Sequence, residues 1–335
     1  MDTSNPKNES SHTSKTDFSF SELVRIDQKP TNINSNEIIV FACIRNESLR
    51  LPYFLQYHRS IGADRFVFVD NFSTDGTVDY LLSQSDVHVY YTEESYANSN
   101  CGVDWLNALL NHHGTGHWTL TLDADELLIY PNCEEMNLGH LTNYLDQTES
   151  QGLPTFLLDM YSDIPIKKTE YRVGMPFLDV CPFFDHNTYH EREPKTELPI
   201  RGGPRHRLFW EGRCRIKPSP VLKKIPLVKW RDGLSFEAST HVIRNLRLSS
   251  LTGVLQHYKF FSDFYTYAEQ EVARKEHWDA AAQYESYWNV LSSNPDLCAF
   301  HNESKRYRNS TQLIDLGLIK STEEFEVYAA NQQTK

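Results

Sequence analysis

Between Glu37 and Leu122 short apolar runs alternate with stretches of helical spacing, and every run ends in polar or charged residues. Ile38-Ile39-Val40-Phe41-Ala42-Cys43-Ile44 is too short for an isolated helix and suits a strand buried on both faces. After Arg45-Asn46-Glu47, the residues Leu51, Phe54, Leu55 and His58 recur at helical spacing as far as Gly62, which predicts an amphipathic helix beginning near Asn46 or Pro52. Arg65 to Asp70 reads as a second strand. The turn and cap residues Asn71 to Gly76 then lead into a helix carried by Val78, Leu81 and Leu82. Val87 to Tyr91 is a third strand, Val103 to Leu110 a helix, and His117 to Leu122 a fourth strand. Such alternation predicts an α/β fold, a mostly parallel Rossmann-like sheet with right-handed crossovers and helices on both faces. Ligands of open sheets bind beyond the carboxyl ends of the strands. The residues arriving there are Arg45, Asn46, Glu47, Asp70, Asn71, Glu93, Glu94, Asp123 and Asp125.

The remainder of the chain divides around this frame. Residues 1–35 are rich in Ser, Asn, Thr and Lys and poor in aliphatics, so they read as a flexible leader. A single domain built on this frame is expected over 36–260 and a C-terminal helical extension, packed on the same domain, over 261–335. Phe156 to Tyr161 looks like a further strand. The Pro-rich stretch from Ser162 to Lys229 predicts loops and antiparallel strands over the rim. Ser262 is placed to cap one long helix through about Leu291.

Charge and cysteine content narrow the partners. A net charge of -12 argues against a surface built to neutralise many phosphates, so nucleic acid is not an expected partner, while a local basic pocket for one small anion remains compatible. No apolar run reaches bilayer-spanning length and the first residues lack a secretory pattern, so a cytoplasmic location is expected, with peripheral membrane association left open. The six cysteines are scattered with no CxxC pair, which suits reduced thiols and disfavours structural zinc.

The acidic segment Leu122-Asp123-Ala124-Asp125-Glu126 closes the fourth strand. In extended geometry the carboxylates of Asp123 and Asp125 project to the same side while Ala124 points away. Two adjacent oxygen ligands suit a hard cation, Mn2+ or Mg2+, which keeps open positions for water and substrate phosphates. Asp-x-Asp is common in acidic proteins as a solvated turn; its place after a buried strand is what singles it out here.

Taken in order, Ile44-Arg45-Asn46-Glu47, Val69-Asp70-Asn71-Phe72-Ser73-Thr74-Asp75-Gly76-Thr77 and Leu122-Asp123-Ala124-Asp125-Glu126 resemble the motifs of glycosyltransferase family 2 and its family 92 relatives, bacterial enzymes of GT-A fold. The likeness covers roughly Ile38 to Leu128. The middle block resembles that family's V-D-D-G-S-T-D-G-T signature and the last its DXD motif. The resemblance implies a metal-dependent glycosyltransferase of polysaccharide biosynthesis, moving a sugar from a nucleotide-diphosphate sugar to a hydroxyl of a glycan or glycolipid. It implies that Arg45, Asn46 and Glu47 line the base and ribose, that Asp70 or Asn71 faces the base, and that Asp123 and Asp125 serve the metal diphosphate. Asn71 stands where the family has a second Asp; an amide donates as well as accepts, which loosens any expectation of uracil. Asp75 reads as a helix cap.

Downstream, Gly253-Val254-Leu255-Gln256-His257-Tyr258-Lys259-Phe260 resembles a His-Tyr block of bacterial relatives, implying His257 as a further metal ligand, with His241 as the rival. Arg205 and Arg207, in the basic glycine loop Arg201 to Arg207, are candidates for diphosphate contacts. The carboxylates Asp159, Asp163, Asp179, Asp185 and Glu191 qualify by type as the general base. Asp185 is preferred because Pro182-Phe183-Phe184 could raise its pKa. Two other readings are a sugar-phosphate nucleotidyltransferase, which however usually carries a Gly-rich basic loop after the first strand, and a non-catalytic carbohydrate-binding protein.

Overall fold

The computed structural model describes residues 22–213 and 218–333. Its elements in chain order begin with β1 (Val24–Arg25), β2 (Ile39–Ile44), α1 (Leu51–Ser60), β3 (Arg65–Asn71), α2 (Thr77–Leu82), β4 (Val87–Thr92), α3 (Val103–Leu109) and β5 (Trp118–Thr121). There follow β6 (Glu126–Ile129), α4 (Leu138–Gln147), β7 (Gly152–Tyr161), α5 (Phe177–Val180), β8 (Phe183–Phe184), β9 (Tyr189–Arg192), β10 (Pro199–Gly202) and α6 (Gly203–Phe209). The chain closes with β11 (Lys223–Lys229), β12 (Gly253–His257), α7 (Phe264–Arg274), α8 (Ala282–Leu291), β13 (Lys305–Arg306), α9 (Ser310–Asp315) and α10 (Glu323–Gln333).

The main sheet runs β1-β4-β3-β2-β5-β11-β7-β12-β6, with β8 on the side of β7 and β13 on β8. Strands β4, β3, β2 and β5 are mutually parallel, as the alternation predicts. The period of two along β2 and β3 explains why helices cover both faces. Val40, Ala42, Ile44, Phe66 and Phe68 join one core with α1, α2, α4, α9 and α10, whereas Ile39, Phe41, Val67 and Val69 join another under α3. On α1 the residues Leu51, Phe54, Leu55 and His58 form the buried stripe. Each such Leu or Phe contributes about 1.5–3 kcal/mol relative to an exposed position. His58 Nδ1 donates to the Phe54 carbonyl, 2.9 Å away, and burial holds its pKa down to about 3, so it is a neutral core residue.

The second half of the sheet is mixed. β11 is antiparallel to β5 and β7, β12 is parallel to β7, and β6 is antiparallel to β12. That register sets His257 opposite Asp159 on one side and Glu126 on the other. Gly253 allows it: a Cβ there would meet the Ile129 carbonyl at 2.6 Å.

Two boundaries differ from expectation. Of the expected leader, residues 1–21 lie outside the described residues, whereas residues 22–35 include β1, which pairs with β4. Asp27 is buried there, accepting from Arg25 and from the Val89 amide, and these ionic bonds supply what the segment lacks in apolar contacts. The long helix from Ser262 is broken, since Lys275, Asp279, Ala280 and Ala281 have positive φ. Glu276 turns away at the break to accept from the Ser95 hydroxyl and the Ala97 amide, tertiary bonds no helical period anticipates. The C-terminal extension is packed on the same body: α7 and α8 share a core with Tyr161 and Phe209, and α9 and α10 pack on the α1 face. Among the described residues no helix is long and apolar enough to cross a membrane.

Candidate functional site

A cavity of about 300 Å³ opens beyond the carboxyl ends of β2, β3 and β5, lined on its far side by residues from β12, α7 and α8. Arg45, Glu47, Asn71, Asp123, Asp125, Arg205, His241 and His257, all singled out from sequence, line it together. Gly102, with φ +79°, packs against the lining residue Cys43; a Cβ there would strike the Cys43 sulfur at 2.9 Å.

The three acids after β5 have distinct surroundings. Asp123 keeps 59% of its side chain exposed, Asp125 18% and Glu126 1%. Lys224, wholly buried on β11, donates to both Glu126 oxygens at 2.9 and 2.7 Å and to Asp123 at 3.2 Å. Burial opposes the charge of Asp123, but Lys224 outweighs it and holds the pKa below the ordinary value. Glu126 is pushed up, by burial first and by the neighbouring Asp123 charge next.

Asp125 heads a continuous polar chain. Its carboxylate lies 3.3 Å from His257 Nε2, His257 Nδ1 lies 2.6 Å from Asp159, and the other Asp159 oxygen accepts from Arg205 Nε at 2.7 Å. Burial disfavours charge on His257, yet the Asp125 carboxylate overrides it and raises the pKa. Asp125 is correspondingly lowered against its own burial, chiefly by His257.

This geometry fits a divalent ion in two respects. Ligands in adjacent positions of an octahedral ion at ~2.1 Å stand ~3 Å apart, close to the Asp125 to His257 spacing. A ligating histidine also characteristically has its second ring nitrogen held by a carboxylate, as Asp159 holds His257. Among the described residues no three ligating side chains converge, so an ion held by Asp125 and His257 would take its other ligands from substrate and water. His241 also lines the cavity, with Nδ1 2.7 Å from the Lys223 carbonyl. A carbonyl only accepts, so that nitrogen carries the proton and Nε2 keeps a lone pair.

The remaining candidates separate. Asn46, with φ 54°, ties two loops together, its amide donating to Ser73 Oγ and its side-chain oxygen accepting from the Thr74 amide. Asp70 is buried outside the cavity lining, one oxygen accepting from the Ser73 amide at 3.0 Å and the other without a hydrogen-bond partner among the described residues. Asn71 donates to the Thr92 and Glu94 carbonyls and accepts from Arg274, so its amide is fully engaged. Asp75 accepts from the Thr77 amide and from Ser48, but it stands one residue before Gly76, the N-cap of α2, rather than at the cap expected of it.

Asp185 is a correction. It does not line the cavity; it is buried and accepts from the hydroxyls of Tyr161 at 2.5 Å and Thr188 at 2.8 Å and from Arg207 at 3.1 Å, with His301 also at 3.1 Å. Burial alone would raise its pKa, but Arg207 and these hydroxyls lower it, so it is a fixed anion rather than a base. Arg207 is spent on the same pair and leaves the cavity to Arg205. Asp185→Asn is expected to cost about 2–3 kcal/mol of folding stability near neutral pH. A depressed folded-state pKa stabilises above the unfolded value and the benefit is lost as pH falls through the folded one. Urea unfolding of the two proteins should therefore converge on acidification below about pH 4.

Residues not singled out from sequence also line it, among them Arg50, Tyr96, Tyr267, Arg274, His277 and Tyr284, and Lys259 joins them from the His-Tyr block. Lys224 left one signal. It shares its strand face with Leu222, an inward position at which an ammonium requires buried carboxylates.

Fold and site define an α/β protein with a mixed central sheet and a charged cavity at the carboxyl edge of its parallel half. No family model matches the chain, and no curated protein matches it. Among solved structures the chain is similar to 4-diphosphocytidyl-2C-methyl-D-erythritol synthase, at 14% identity and a TM-score of 0.25. The likeness covers 39% of this chain and 64% of that one, and carries no argument at this level.

Proposed function

We propose that the chain is a metal-dependent glycosyltransferase that binds a nucleotide-diphosphate sugar in this cavity and transfers the sugar to a hydroxyl of a glycan or glycolipid. The observation that carries the reading is the line Asp125, His257, Asp159 and Arg205 at the carboxyl edge of the parallel strands. The charge distribution supports it. A chain of net charge -12 gathers Arg45, Arg50, Arg205, Lys259 and Arg274 around one cavity, which suits an anionic ligand.

Mn2+ or Mg2+, held by Asp125 and His257 when bound, would offset the charge that grows on the diphosphate as the glycosidic bond breaks. Asp159 orients the His257 ring, and Arg205 fixes Asp159. Asp123, open to the cavity and kept ionised by Lys224, adds a second negative oxygen beside the ion's place. Glu47 lines the cavity and is pushed up to about 8 by burial, so its ionised form, which would take the acceptor's proton, gains population as pH rises toward 8.

A thermal-shift panel of nucleoside diphosphates and nucleotide sugars, with and without manganese, tests the reading. A raised unfolding temperature for one nucleotide, larger with manganese, is expected by mass action. No shift with any nucleotide contradicts it. Pyrophosphate release from a nucleoside triphosphate and a sugar phosphate would assign the nucleotidyltransferase reaction instead.

A further inference from the structure

We propose that Lys259 is the cation that binds a phosphate oxygen of the nucleoside diphosphate; the assignment rests on the reading of the cavity given above. The other basic side chains around the cavity are already engaged by carboxylates or by a main-chain carbonyl. Arg50 pairs with Glu47 and Asp263, Arg205 with Asp159, Lys224 with Asp123 and Glu126, and Arg274 with Glu271. Arg45 has no carboxylate, but its guanidinium donates to the Asn71 carbonyl at 3.2 Å and lies over Phe72.

Lys259 differs. Among the described residues its ammonium makes no ion pair or hydrogen bond and lies 5.5–5.9 Å from the ring centroids of Tyr284, Phe264 and Tyr267. Ring faces attract a cation, which fixes the ammonium in place, but they neither neutralise it nor accept its three N–H bonds as oxygens do. A partly buried cation held in this way has charge and donors to give to a ligand.

Its position suits that ligand. Lys259 lies two residues beyond His257 on the chain that continues β12, and Tyr258 between them donates its amide to the Asp125 carbonyl and is wholly buried. Alternation along an extended segment sends His257 and Lys259 to the same side, toward the cavity both line. Anion bound beside Asp125 and His257 would therefore meet the ammonium, and lysine binds phosphate as a point charge.

Calorimetric titration with inorganic pyrophosphate and manganese, which removes any dependence on the base, tests the assignment. The unaltered protein should bind; Lys259→Met should bind about tenfold or more weakly, and Lys259→Arg should recover most of the affinity. Because Lys259→Met could disturb the aromatic cluster, a second measurement uses the unaltered protein: pyrophosphate should protect Lys259 from reductive methylation, read by peptide mass. Equal affinity of Lys259→Met and the unaltered protein, or unchanged methylation with pyrophosphate bound, overturns the assignment alone. Failure of the unaltered protein to bind pyrophosphate overturns the diphosphate reading and the assignment with it.

Discussion

Asp125→Ala is expected to lower metal-dependent turnover of a nucleotide sugar by about a hundredfold to a thousandfold, the scale on which loss of one electrostatic group at a leaving group is felt. Asp125 is the cavity-lining acid beside His257 Nε2, so its removal deletes one of the two ligands proposed for the ion. The fold should survive, because His257 keeps Asp159 and the main-chain bond from Tyr258 to the residue 125 carbonyl does not need the carboxylate. Release of nucleoside diphosphate, measured beside the circular dichroism of both proteins, decides the matter. Turnover within twofold of the unaltered protein would remove Asp125 from the chemistry.

Lys224→Met is expected to produce the largest loss of stability in the cavity wall, about 3–5 kcal/mol, because it strands the buried Glu126 without its counter-ion. That is a large share of the roughly 5–15 kcal/mol that separates a folded domain from its unfolded chain. The loss should depend on pH. The folded-state pKa of Glu126 is already raised, and without Lys224 it rises further. A carboxyl with a raised folded pKa costs nothing below its unfolded value, and stability falls as pH rises from that value to the folded one. Urea unfolding should therefore show a smaller deficit at pH 5 than at pH 8, and Glu126→Gln added to Lys224→Met should restore part of it. A deficit independent of pH would mean that lost packing, rather than an unpaired carboxylate, is the cause.

The parallel half of the sheet was legible because its strands are continuous apolar runs buried on both faces, as Val40 and Phe41 show by serving opposite cores. Polar residues at the ends of such runs have few places to go, which is why Arg45, Glu47, Asn71, Asp123 and Asp125 meet in one cavity. The antiparallel half carried no comparable period: short strands such as β8 and β13 are fixed by partners distant in the chain. Asp185 shows the limit of arguing from neighbours in sequence. Pro182-Phe183-Phe184 suggested an apolar pocket and a raised pKa, but Arg207, Thr188 and Tyr161 reach the carboxylate from elsewhere and reverse the sign. Lys259 escaped notice for a related reason, since the rings that hold it come from two helices that follow it in the chain.

We propose that this cavity binds a divalent ion and a nucleotide-diphosphate sugar together and breaks the bond between the diphosphate and the sugar. The most direct measurement is nucleoside diphosphate release by the purified protein from a set of nucleotide sugars, before EDTA, after EDTA, and after manganese is restored. Release from one donor that stops with EDTA and returns with manganese is the predicted result. Release that is indifferent to EDTA, or no release from any donor with manganese present, would contradict it.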